Sequence, residues 1–224
     1  MSHLRVWRHH ATDHPGLIRE AFERRGYEVS VELVGVGAPP SALDEVDILL
    51  ILGSNDSVYD RAVQAAWLND ELAAMAEAIE RDIPVFGICF GSQMLCRHFG
   101  GTVERAPEGE VGFFELTSDD PDFPVGGPWF QFHYDHSLLP QRATVLAHSD
   151  KAVQAFRIGR TFGVQFHPEV DADQLDDWFR DDAAVRESGL DIEGFLDSAR
   201  RNGNRLRGDA DALVDYFLRV VVAA

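Results

Sequence analysis

The chain has 224 residues, of which 38 are acidic and 20 basic, giving a formal charge of −18 with histidine neutral. At 45% hydrophobic and 26% charged residues it has the composition of a soluble globular protein, which argues against disorder. So acidic a surface repels phosphate backbones and anionic membranes, and the one basic cluster, Arg200, Arg201, Arg205 and Arg207, is too short to make nucleic acid a partner.

The N-terminus has no apolar stretch ahead of a small-residue cleavage site, and no run of about 18 apolar residues occurs. A cytoplasmic protein without a membrane span is expected. The acids are 23 Asp and 15 Glu, against 19 Arg and the single Lys151. Solubility in a salt-rich cytoplasm and a codon bias toward arginine both fit that usage.

Along the chain, short apolar runs alternate with amphipathic ones, the pattern of a parallel sheet flanked by helices. Leu4–Trp7 reads as a strand, Pro15–Arg25 as a helix stopped at Gly26, and Tyr27–Leu33 as a second strand. Gly35–Pro40 is a loop, and Val46–Leu52 is almost wholly apolar, as a strand covered on both faces should be. After the loop Gly53–Asp60, residues Ala65, Leu68, Leu72, Met75 and Ile79 recur at helical spacing and predict a helix over Val63–Arg81. Ile83–Ile88 is the next buried strand, turning at Cys89 into a helix that ends at Gly100-Gly101. The segment 102–166 is strand-rich, with runs at Val111–Leu116, Trp129–Phe132, Thr144–Ala147, Ala152–Arg157 and Thr161–Phe166. The tail, 171–224, is helical, with segments at Asp173–Arg180, Ile192–Arg201 and Ala210–Val222. No repeat or linker interrupts this order, so residues 1–224 are expected to form a single domain.

The segment Val85-Phe-Gly87-Ile-Cys89-Phe-Gly91-Ser-Gln93 carries the most chemistry. An apolar strand runs through Gly-x-Cys-x-Gly straight into a helix, the context of a nucleophile elbow. A thiol at a helix N-terminus also sits where the macrodipole favours thiolate. A small buried thiol beside a packing glycine is the plainer reading of the same residues. Gly163-Val-Gln-Phe-His167-Pro-Glu169 then supplies a histidine at a strand end with a carboxylate two residues on, a base and the group that would fix its tautomer. Cys96 lies seven residues after Cys89, about 10.5 Å along a helix, too far for a disulfide, so both thiols are expected to be free. His9, His10 and His14, or His133 and His136, come without the cysteines or carboxylates of a metal centre, and no metal is expected.

Gly87-Ile-Cys89-Phe-Gly91-Ser-Gln93, followed 78 residues after the cysteine by His167-Pro-Glu169, resembles the class I, triad-type glutamine amidotransferases. Leu52-Gly53-Ser54 with Ser57-Val-Tyr-Asp60 resembles the oxyanion-strand loop of that family, and Gln131-Phe132-His133-Tyr-Asp135 its second glutamine-binding segment. The match spans essentially the whole chain and looks like the stand-alone members related to the glutaminase half of GMP synthase. The resemblance implies a flavodoxin-like three-layer α/β fold with a mostly parallel central sheet and a small antiparallel portion. It implies Cys89, His167 and Glu169 as catalytic triad, backbone N–H groups of Gly53 and Phe90 as oxyanion hole, and Ser54, Gln93, Phe132 and His133 as substrate-binding residues. Glutamine would be the substrate, the possible partner would be a separate synthase subunit, and no cofactor would be needed. Two departures stand out: Ser54 replaces the second glycine usual in the oxyanion loop, and Tyr134 follows His133 where a small residue is common. A cysteine hydrolase of other γ-glutamyl amides or peptides and a catalytically silent regulatory subunit remain the competing readings.

Overall fold

The computed structural model describes residues 2–35, 39–181 and 189–223, so the middle of the expected loop Gly35–Pro40 and part of the helical tail lie outside the described residues. The strands are β1 (His3–Arg8), β2 (Glu28–Leu33), β3 (Ile48–Ile51), β4 (Val85–Ile88), β5 (Thr102–Phe114), β6 (Trp129–Leu138), β7 (Thr144–His148), β8 (Val153–Ile158) and β9 (Thr161–Val164). Seven of them form a central sheet of order β2-β1-β3-β4-β9-β8-β7, and β5 and β6 make a separate two-stranded ribbon. Pairings β1–β2, β1–β3, β3–β4 and β4–β9 are parallel; β8–β9 and β7–β8 are antiparallel. This is the mostly parallel α/β architecture with a small antiparallel portion that the resemblance implies.

Burial on both faces explains the apolar run at β3. Ile48 and Leu50 join the core beneath α1 (Gly16–Arg24), α5 (Ala172–Asp181) and α6 (Ile192–Phe217). Leu49 and Ile51 point the other way, into the core with Leu68, Met75 and Ala78 beside α3 (Asn69–Glu80) and Met94 and Leu95 of α4 (Phe90–His98). Successive side chains of a strand alternate between faces, so a four-residue strand can seed two cores.

Several boundaries differ from the sequence pattern, among them that of the strand expected at Trp129–Phe132, which runs on to Leu138 as β6. The helix expected over Val63–Arg81 starts earlier, at α2 (Arg61–Val63), where Asp60 accepts from the N–H groups of Ala62 and Val63; it passes through a π-helical turn, Gln64–Leu68, into α3. The expected helices Ile192–Arg201 and Ala210–Val222 are one, α6 continuing as a π-turn over Leu218–Val222. Gly203 and Gly208 interrupt the propensity, but the buried stripe Leu196, Ala199, Leu206, Ala210, Leu213 and Phe217 runs past both and holds the helix together. The strand expected at Val111–Leu116 begins at Thr102 instead, because β5 pairs along β6 through an irregularity between Arg105 and Glu110 that absorbs Pro107 and Gly109.

The basic cluster in α6 is consumed by ion pairs: Arg200 and Arg201 with Asp197, Arg205 with Asp209, and Arg207 with Glu20 of α1. Cys89 and Cys96 are both free and buried. Cys96 packs with Sγ 3.6 Å from the carbonyls of Thr102 and Leu138, and burial pushes its thiol pKa up.

Candidate functional site

The β4–α4 junction is a sharp elbow. Cys89 takes φ 50°, ψ −105°, a left-handed conformation costly for any residue with a Cβ, and its N–H donates to Val164 O of β9 at 2.8 Å. The flanking glycines are required by backbone contact: a Cβ on Gly87 would fall 2.5 Å from the carbonyl of Gly91, and one on Gly91 would fall 2.4 Å from Ile51 O. Cys89 is thereby lifted onto the carboxyl edge of the sheet with the N-terminus of α4 behind it. The first N–H groups of a helix have no intrahelical acceptor, so that of Phe90 is available beside the thiol.

The chain leaving β9 brings the partners. The Cys89 side chain lies beside the His167 imidazole, near enough to raise its pKa, and His167 Nδ1 lies 2.7 Å from Glu169 Oε1. Backbone bonds hold this segment on both sides: His167 N–H donates to Phe130 O at 2.9 Å, and Leu17 N–H at the start of α1 donates to Glu169 O at 2.9 Å. Trp178 of α5 meets the His167 ring edge-on at 5.0 Å. Burial by itself disfavours the imidazolium, but the Glu169 carboxylate and the Cys89 side chain prevail, and the His167 pKa is raised to about 10.

That shift has a consequence for stability. A proton held more tightly in the folded than in the unfolded chain stabilises the fold fully below about 6.5, and the contribution is lost as pH rises through about 10. Glu169→Gln removes the strongest attraction for that proton. The stability deficit of Glu169→Gln, read from urea midpoints, is expected to be widest near pH 6.5 and to shrink as pH approaches 10. A deficit constant across that window would contradict the assignment.

The residues expected to surround Cys89 and His167 take varied postures. Gly53 lies over the pair: a Cβ there would be 3.3 Å from His167 Cε1 and 3.7 Å from Cys89 Cβ. Ser54, the departure from the paired glycines expected after β3, has its hydroxyl in a local turn, donating to Asp56 Oδ2 at 3.3 Å and accepting from Asp56 N–H at 3.2 Å. Gln93 is buried and donates to Gln165 Oε1 at 3.2 Å, and Gln165 Nε2 lies 3.4 Å from Cys89 Sγ. On β6, Phe132 and His133 face opposite ways. Phe132 packs among Phe130, Trp178 and Phe179, whereas His133 is buried with Nδ1 3.1 Å from Asp135 O and Nε2 3.3 Å from Glu110 Oε2. Asp135 accepts from Ser57 Oγ and from Tyr59 OH at 2.9 Å, tying the loop after β3 to β6.

Sequence reasoning missed Gln165 and the pair His9–Glu71. Gln165 had a signal, since it stands two residues before His167 and shares its face of an extended segment. His9 had none: it was one histidine of a cluster weighed only as metal ligands, yet it bonds Gly53 O and Glu71. Among the described residues, no group of three or more His, Cys, Asp or Glu side chains could hold a metal ion.

Comparison with known proteins bears on this arrangement. A family model described as glutamine amidotransferase class-I matches residues 15–183. The GMP synthase (glutamine-hydrolyzing) of Rippkaea orientalis is 35% identical over 132 residues, 54% of this chain and 23% of the relative. That of a Synechococcus strain is 38% identical over 131 residues, with 54% and 23% covered. The chain therefore matches less than a quarter of the length of these curated relatives. Among solved structures, a glutamine amidotransferase from Thermotoga maritima superposes with a TM-score of 0.85 at 27% identity, covering 97% of this chain and 98% of that one. A putative GMP synthase subunit from Thermoplasma acidophilum shares the fold at a TM-score of 0.61 and 22% identity, with 91% and 98% covered.

Proposed function

Because the chain belongs to the class I glutamine amidotransferase family, we propose that it hydrolyses the side-chain amide of glutamine through a thioester on Cys89, releasing glutamate and ammonia. The observation that carries this reading is the thiol at a strained elbow, beside a histidine that a buried carboxylate orients. With the proton already on His167, Cys89 Sγ bonds the amide carbon. The resulting oxyanion is held by the N–H groups of Gly53 and Phe90, each such donor worth about 10²–10³ in rate. His167 passes the proton to the departing nitrogen, the C–N bond breaks, and ammonia leaves. His167 then takes a proton from water, which attacks the γ-glutamyl thioester and frees glutamate and the thiol. Glu169 holds Nδ1 throughout, so that Nε2 faces the thiol.

Glutamine itself would be held by Ser54, Gln93, Phe132 and His133, the latter two through main-chain groups of β6. No cofactor enters these steps. The ammonia would pass to an acceptor on a separate synthase subunit; the curated relatives named above are synthases, and this chain matches only their smaller part. The protein incubated with free glutamine is expected to release ammonia and glutamate in equal amounts, with no faster turnover of γ-glutamyl peptides. Faster cleavage of the peptides would move the assignment to a γ-glutamyl hydrolase. Absence of any Cys89-dependent turnover, with or without a synthase subunit, would remove the enzymatic reading.

A further inference from the structure

His9 leaves the end of β1 and is buried between the loop after β3 and α3. Its Nδ1 lies 2.6 Å from Gly53 O in the loop after β3, and its Nε2 lies 2.9 Å from Glu71 Oε1 of α3. The ring stands edge-on to Phe90, centroids 5.0 Å apart, with Trp67 at 5.4 Å on another side. Side-chain exposures of 3% for His9 and 1% for Glu71 make this a fully desolvated pair. Placing it there is costly unless geometry repays the desolvation.

Both ring nitrogens face acceptors, a carbonyl and a carboxylate, and only the doubly protonated ring can donate to both. Burial opposes that charge, but Glu71, the Gly53 carbonyl and Asp13 outweigh it and raise the His9 pKa. The His9 bond fixes the Gly53 carbonyl, and the Leu52 N–H just before it donates to Trp7 O at 3.0 Å, so the Leu52–Gly53 peptide between these anchors, planar and carrying the Gly53 N–H, is tethered on both sides. Gly53 itself lies directly over Cys89 and His167. The same ring touches Phe90, whose N–H begins α4.

We propose that His9, held by Glu71, is a positioning residue that sets the loop carrying Gly53 against the elbow, so that the Gly53 and Phe90 N–H groups converge on one oxygen. This rests on the acyl-transfer reading of Cys89. His9 touches no substrate; it acts through the backbone of Gly53 and the ring of Phe90.

The test compares two double variants that both remove the buried charge of Glu71. In His9→Asn with Glu71→Gln, the Asn amide replaces Nδ1 as donor to Gly53 O; in His9→Phe with Glu71→Gln, the ring volume stays and the donor is lost. With glutamine, the Asn variant is expected to keep kcat within about tenfold of the native protein, and the Phe variant to fall about 10²–10³-fold in kcat with little change in KM. Alkylation of Cys89 by iodoacetamide, a displacement that forms no oxyanion, should proceed at the native rate in both. Equal kcat in the two variants, or alkylation falling in step with kcat, overturns the proposal. The same contrast is read on p-nitrophenyl acetate, whose hydrolysis at Cys89 needs the oxyanion hole but no glutamine pocket. Should the native protein cleave only the ester, the glutamine assignment fails while the variant contrast still decides the role of His9. Should it cleave neither substrate, both fail.

Discussion

Cys89→Ala is expected to lower kcat for ammonia release from glutamine by at least about 10⁴-fold, the scale on which loss of a covalent nucleophile is felt. The fold should survive, since alanine carries the same Cβ through the elbow and Cys89 is otherwise a small buried side chain. A paired variant shows what the elbow costs. Cys89→Gly has no Cβ to crowd at φ 50°, and should be more stable than Cys89→Ala by about 1 kcal/mol while equally inactive. Ammonia release and thermal midpoints measured on the same preparations check both statements. Residual turnover within tenfold of native in Cys89→Ala would place the nucleophile elsewhere. A less stable Cys89→Gly would mean that the elbow is unstrained. A gain in stability at the expense of chemistry is the signature of strain stored where function needs it.

Gly91→Ala should have the largest effect on stability. Its new Cβ would lie 2.4 Å from Ile51 O and 2.9 Å from Ile51 Cβ, so that α4 and β3 must separate. The neighbour is backbone in a fully buried strand and has no flexible end to yield. Overpacking of that kind costs about 3 kcal/mol or more. For a chain of this length it corresponds to a fall of roughly 6–12 °C in Tm. Activity should drop further than folding accounts for, because the same shift moves Phe90 and Cys89 away from Gly53. Gly208→Ala is the internal control: it lies exposed in α6 with nothing within 4 Å of a new Cβ, and should stabilise by about 0.5–1 kcal/mol. Differential scanning calorimetry of the two variants suffices. Equal midpoints would refute the backbone argument.

The elbow was legible because its chemistry is local: a buried strand, two glycines around a cysteine, and the start of a helix follow one another without a gap. His167 and Glu169 were legible for the same reason, two residues apart at a strand end. What escaped was held together by distance along the chain. His9 and Glu71 are 62 residues apart and meet only once β1 and α3 pack around β3. The fold followed a similar rule. Strands buried on both faces, such as β3, announced themselves as unbroken apolar runs. The ribbon β5–β6, polar on one side and interrupted at Pro107, had no such period, and its first half was missed. In α6 the glycines suggested a break that tertiary packing overrode.

The parallel strands also divide the molecule by rim. The loop after β1 carries His9, the loop after β3 carries Gly53, the turn after β4 carries Cys89, and the segment after β9 carries His167 and Glu169: every one lies at the carboxyl ends of the strands. At the opposite rim the chain reverses through Gly26 at φ 82°, Asp82 at φ 59° and Gly159 at φ 56°, turns remote from all of these residues. Left-handed backbone therefore serves two ends in this protein, the elbow that presents Cys89 at one rim and connectivity at the other. An engineer has a clear choice of where to graft: an affinity tag, a fluorophore or an inserted domain belongs at Gly26 or Gly159, on the rim that no reacting atom ever sees.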